Sequence, residues 1–183
     1  RGQLVTILAR MEQADTDSAP VCPFTDVDQS RFYAPAVNWA YANKIVLGVT
    51  ETTFDPNAPI TRQQLVTILV RYLTEVRGLT LDSAELTFTD QNDIGNFARD
   101  AVQQAVAIGL VQGFPDGSFQ PRKQLPRSEG VTVLVRLAHY LDNLPAEPEE
   151  PQPEEPTPEQ PENPDNSGNE TPPEETPEVS PTV

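Results

Sequence analysis

The chain has 183 residues, with 28 acidic against 12 basic side chains, one cysteine, one histidine and a formal net charge of −16. A lone cysteine excludes an intrachain disulfide and a cysteine-built metal site. The acidic balance argues against a nucleic-acid binder, which needs a basic footprint.

The charge is unevenly spread. Residues 142–183 hold 13 acidic residues, no Lys or Arg, 12 of the 20 prolines and no aromatic residue, so residues 1–141 carry only −3. A segment of that composition cannot bury enough apolar surface to offset its ordering entropy, and 142–183 is predicted to be a disordered acidic, Pro/Glu-rich spacer. No stretch is apolar for long enough to span a membrane, and the tail would be repelled by an anionic lipid surface. The chain opens on Arg1, inside a helical pattern, with neither an initiator Met nor a signal peptide, and is read as a fragment.

In chain order, the first element is the stripe QLVTILAR at 3–10, which returns as QLVTILVR at 64–71 and, degenerately, as VTVLVR at 131–136. The repetition extends beyond the stripe. Phe24-Thr25-Asp26 returns as Phe88-Thr89-Asp90, and Phe54-Asp55-Pro56 returns as Phe119-Gln120-Pro121. Arg62 and Arg71 have counterparts in Arg1 and Arg10 and again in Arg127 and Arg136. Repetition at a period near 60 residues sets the organisation before any motif does. Residues 1–15 are the last helix of a truncated first repeat, 22–77 a second repeat and 86–141 a third.

Each full repeat reads helix, loop, helix. In the second, residues 32–43 form a short helix with Val37, Ala40 and Tyr41 at helical spacing and Pro35 in the first turn, where proline is tolerated. A turn-rich stretch, 48–59, follows. Thr61-Arg62-Gln63-Gln64 is a capping box, and Leu65, Ile68, Leu69, Tyr72 and Leu73 then form one apolar stripe. In the third repeat Pro126 stands for Thr61, and Gly130 for Leu65, which thins the stripe. Gly109 stands where Lys44 stands and suits a left-handed helix end better. Three related faces (Leu4/Ile7/Leu8, Leu65/Ile68/Leu69 and Gly130/Val133/Leu134) predict an all-α fold. It has pseudo-threefold repeats, a central three-helix bundle and outer helix–loop lobes.

The order FTDV, AVNWAYANKIVLG, TFDPNAPITRQQLVTILVR, with FTDQ, AVQQAVAIGLVQGFPDGSFQP and PRSEGVTVLVR in the third repeat, resembles the S-layer homology domain family over residues 1–141. ITRQQ and LPRSE look like versions of that family's Thr-Arg-Ala-Glu signature. The resemblance implies a non-catalytic, cofactor-free module, outside the bacterial cell at the cell wall or S-layer. Such a module anchors an exported protein by binding secondary cell-wall polysaccharide, often pyruvylated, in grooves between repeats. The alternatives are a structural module that self-associates in a surface layer, and the anchor part of a wall-active enzyme whose catalytic domain is not in this sequence.

A pyruvylated sugar offers a carboxylate, hydroxyls and an apolar ring face. Arg62 and Arg127 begin helices whose dipole favours an anion, and guanidinium suits a carboxylate bidentately; the alternative is that each pairs with an acidic residue of the next repeat or is solvated, and Arg1 is the first-repeat equivalent. Trp39, the only tryptophan, is either core or a sugar-stacking ring. Asp26 and Asp90 either cap the next helix or accept sugar hydroxyls. Gly48 and Gly113 serve a turn before the loop and, as glycan-binding positions, allow close approach of the sugar. No metal site is expected: the loop from Asp90 to Gly95 starts like a calcium loop, but Ile94 holds a ligand position and Ala101 the closing one. His139, alone and late in a helix, supports neither a triad nor zinc.

Overall fold

Residues 1–144 are described by a computed structural model; the spacer predicted over 142–183 lies almost wholly outside the described residues. The described part is all-α, with five helices: α1 (Gly2–Met11), α2 (Ala34–Ala42), α3 (Arg62–Arg71), α4 (Asn96–Ala107) and α5 (Arg127–Asp142). A π-type turn, Tyr72–Val76, prolongs α3, and a 3-10 turn, Gln91–Asp93, leads into α4. An isolated antiparallel bridge joins Thr61 to Gln124.

The helices end alike because the repeats do. In α2, Ile45 N–H donates to Ala40 C=O at 2.8 Å and Lys44 N–H to Tyr41 C=O at 2.9 Å. In α4, Leu110 bonds Ala105 at 2.9 Å and Gly109 bonds Val106 at 3.0 Å. In α1, Ala14 bonds Ala9 at 2.9 Å and Gln13 bonds Arg10 at 3.2 Å. All three are Schellman ends, and the residue at the pivot is left-handed: Gln13 at φ 52°, Lys44 at φ 58°, Gly109 at φ 69°. The substitution of Gly109 for Lys44 therefore has the physical meaning that its sequence position suggests.

A single buried cluster runs through the described repeats. Repeated aromatic pairs anchor it: Phe24 stacks on Phe54 at 5.6 Å, and Phe88 stacks on Phe119 at 5.3 Å. The helices headed by arginine do converge on one axis. Leu4 of α1, Leu65 of α3 and Leu134 of α5 all line the same groove, of about 730 Å³. They do not pack primarily on one another, however. α1 packs on α2 and α3 on α4, so the first two arginine-headed helices lean on the outer helix of the following repeat.

Within this arrangement α5 is the least covered. It is the longest helix but buries only Val133 and Leu137, leaving Val131 55% and Val135 49% exposed. Ile7, expected in the bundle stripe, is 41% exposed because it faces the same side.

The strained pivot in α2 gives a direct test. Lys44→Gly relieves a left-handed β-carbon and is expected to raise unfolding free energy by about 0.5–1 kcal/mol, whereas Gly109→Ala lowers it by a similar ~1 kcal/mol. Urea titrations followed by far-UV circular dichroism measure both.

Candidate functional site

An α-helix leaves its first four N–H groups without intrahelical partners. In α3 the loop of the third repeat supplies them. Arg62 N–H donates to Lys123 C=O at 2.9 Å and Gln63 N–H to Pro121 C=O at 3.0 Å. The predicted capping box is present: Gln64 Oε1 accepts from Thr61 N–H at 3.0 Å, and the Thr61 side chain faces the Gln64 backbone N–H. The second-repeat loop treats α1 the same way: Gly2 N–H donates to Pro56 C=O at 2.8 Å, and the Arg1 nitrogen to Ala58 C=O at 3.1 Å.

The arginines at these two helix starts are drawn into the joints. Arg62 is 8% exposed and donates through one terminal nitrogen to Gln112 C=O. Its guanidinium lies 4.8 Å from the Phe114 ring centroid and 5.1 Å from that of Phe119. Glu129 approaches to 3.9 Å while bonding Lys123 Nζ at 2.8 Å, and Lys123 shares the Phe114 ring at 4.6 Å. Burial pulls the Arg62 pKa below the ordinary arginine value, and the nearby Glu129 carboxylate opposes this. Arg1 donates to Phe54 C=O at 2.9 Å. At the start of α3, where an anion site was expected, the third-repeat loop occupies the Arg62 and Gln63 N–H groups and Arg62 lies beneath it.

Arg127 heads α5 differently. It is exposed, and among the described residues no loop carbonyl bonds its N–H or that of Ser128. It stands at the groove of about 730 Å³ with Arg1 and Arg10, over a floor that includes Leu4, Leu65 and Leu134. No carboxylate lines that groove among the described residues. A second groove, of about 480 Å³, continues along α1 and shares Thr6, Arg10 and Phe32 with the first.

The other sequence-derived positions distribute as follows. Asp26 and Asp90 do not cap a helix by side chain. Asp26 accepts from Phe54 N–H at 2.9 Å and Asp55 N–H at 2.7 Å; Asp90 accepts from Phe119 N–H and Gln120 N–H, both at 2.7 Å. These carboxylates hold Asp55 and Gln120 in left-handed backbone, at φ 59° and 56°. Gly48 makes its turn at φ +88°, where a β-carbon would also come within 2.6 Å of Phe24. Gly113 has no left-handed angle; it leaves room for Phe88, which a β-carbon would meet at 2.8 Å. Trp39 is 7% exposed within the core, because its helix is apolar on nearly every side. Of the expected residues, the groove therefore gathers only Arg1 and Arg127. Sequence reasoning passed over Arg10, although its recurrence as Arg71 and Arg136 was visible, and it passed over Lys123 and Glu129, which have no counterparts of like charge at Ala58 and Gln64.

The family model described as the S-layer homology domain matches residues 23–66 and 87–129, within the second and third repeats. Among curated relatives, the chain is 27% identical over 143 residues to "Cell surface glycoprotein 1" of Acetivibrio thermocellus, covering 74% of this chain and 6% of the relative. It is 30% identical over 149 residues to "Endoglucanase" of a Bacillus species, covering 80% and 15%. To "Cellulosome-anchoring protein" of Acetivibrio thermocellus it is 27% identical over 140 residues, covering 74% and 31%. The chain thus spans between 6% and 31% of the length of these relatives.

The unequal settings of two equivalent arginines predict unequal mutational costs. Arg62→Ala removes a desolvated cation held by a hydrogen bond and two rings, and is expected to cost about 2–4 kcal/mol. Arg127→Ala, at an exposed helix start, is expected to stay within about 0.5 kcal/mol of the parent. Denaturant melts of the two variants check this.

Proposed function

The chain belongs to the S-layer homology family through residues 23–66 and 87–129, and we propose on that premise that it anchors an exported bacterial protein at the outer face of the cell. The ligand we assign to it is an anionic secondary cell-wall polysaccharide, with a carboxylate-bearing sugar such as a pyruvyl ketal as the recognised unit. The module performs no catalysis of its own in this reading.

One observation supports the reading most. In an acidic chain, Arg1, Arg10 and Arg127 line a single groove with an apolar floor and, among the described residues, no carboxylate. A guanidinium offers paired N–H donors in the plane that a carboxylate accepts, and the unbonded start of α5 adds positive helix-end potential. The apolar floor suits the less polar face of a sugar ring. At the neighbouring joint Arg62, under the third-repeat loop, and Lys123, on that loop, are both compensated by Glu129, so they contribute shape to the module before charge.

A second reading has its own support. The exposed Val131 and Val135 on α5, beside Ile7, form an apolar surface of the kind that copies in a surface layer use to associate. It predicts assembly that depends on protein concentration and is indifferent to wall glycan.

Binding to purified wall sacculi that retain their polysaccharide separates the two. Parent protein is expected to sediment with them, and chemical removal of the polysaccharide to abolish this. Arg127→Ala and Arg10→Ala are each expected to weaken retention by about 10-fold, the loss of one charge-assisted contact, without changing the fold. Retention that survives stripping of the polysaccharide contradicts the glycan reading.

A further inference from the structure

Seven phenylalanines occur in the chain, and four of them form the stacked core pairs of the two repeats. Two others behave differently. Phe32 is 66% exposed and Phe97 is 56% exposed. They occupy one position of the repeat. Offset by the same interval that relates Lys44 to Gly109, Phe32 falls on Phe97, and Val37 and Ala40 fall on Val102 and Ala105, all four of which are buried. The core side of this helix is thus equivalent in both repeats, and so is a large aromatic ring turned outward, where packing does not require one.

Each ring is also held. Phe32 makes an edge-on contact with the buried Tyr33, with centroids 5.3 Å apart and planes at 76°. Phe97 lies against the backbone at Gly95, so close that a β-carbon there would sit 2.8 Å from its ring. Phe32 borders both grooves along α1, and Arg10 borders both with it. An aromatic face and a guanidinium on the rims of the same two grooves, with no carboxylate among the described lining residues, match a ligand that has an apolar ring face and an acidic substituent together.

We propose that Phe32 and Phe97 are the sugar-stacking platforms of the module, one per full repeat, and that at Phe32 the ring face of an acidic pyranose lies on the phenyl group while its carboxylate meets Arg10. The assignment rests on the polysaccharide reading above and adds to it the residues that recognise the ring. It also moves sugar stacking away from Trp39, whose ring is in the core. A protein partner is the alternative occupant, and the test below separates it from the sugar.

The test uses the whole chain and the same polysaccharide-retaining sacculi. Phe32→Ala, Phe97→Ala and Phe32→Leu are compared with Phe32→Trp, each first checked by thermal melt, since exposed rings can be replaced without loss of the fold. Alanine and leucine at position 32 are expected to weaken retention by about 10-fold, tryptophan to keep or strengthen it, and the double alanine variant to fall further than either single one. Leucine is the informative variant: it keeps apolar area and removes the π face. With Phe32→Trp, polysaccharide released from the sacculi is expected to quench or shift the emission contributed by the new indole relative to parent protein. If parent protein is retained and the alanine and leucine variants are retained equally well, the stacking assignment is overturned and the anchoring reading stands. If parent protein is not retained at all, both fall. If Phe32→Ala instead abolishes concentration-dependent association in the absence of any wall, the rings belong to a protein contact and the proposal is wrong.

Discussion

The structure depends on one joint: a loop of one repeat laid across the first turn of the preceding repeat's last helix. A helix start carries N–H groups that must find acceptors, and burying them without acceptors costs on the order of 1–3 kcal/mol each. Here Pro56 and Pro121, at equivalent loop positions, present their carbonyls to Gly2 and Gln63. The loops in turn are shaped by Asp26 and Asp90, each binding two successive loop N–H groups. The helix start, the loop and the aspartate are therefore one device, and it ties repeats to one another more firmly than helix packing along the central axis does.

That device explains why equivalent arginines do different work. A guanidinium at a helix start has no intrinsic role; its environment decides. Where a loop arrives, as over Arg62, the group is desolvated, its charge is balanced by Glu129 and two rings, and it becomes part of the scaffold. Where no loop of the described residues arrives, as at Arg127, it keeps its hydration and its freedom to meet an anion. The same residue type in the same motif is thus buried and paired in one repeat and exposed in the next.

Much of the fold was legible. The three stripes, the helix–loop–helix order and the left-handed pivot at Gly109 follow from spacing and from the chemistry of glycine, which are local. The pairing of α1 with α2 and of α3 with α4 was not, because a stripe reveals that a face is apolar without revealing which neighbour covers it. The site was less legible still. Asp26 and Asp90 follow Phe-Thr in a way that looks like a helix cap, yet their partners lie 28 to 30 residues away, beyond any local pattern. Arg62 and Arg127 hold the same place in the motif, and the arrival of a distant loop, which no local pattern reveals, separates their surroundings.

The aromatic residues carry the same argument one step further. Rarity drew attention to Trp39, but a lone large ring within a helix that is apolar on nearly every side fills the core. Repetition is the better signal. A buried residue recurs between repeats because packing demands its volume, and Phe24 with Phe88, or Phe54 with Phe119, need no other reason. When a residue recurs at equivalent exposed positions, packing no longer accounts for it, and an exposed phenyl ring exposes apolar surface that water disfavours. Recurrence of Phe32 as Phe97 therefore calls for a benefit outside the fold, whereas recurrence of the buried rings does not. Exposure and internal repetition together distinguish the two cases, and neither does so alone.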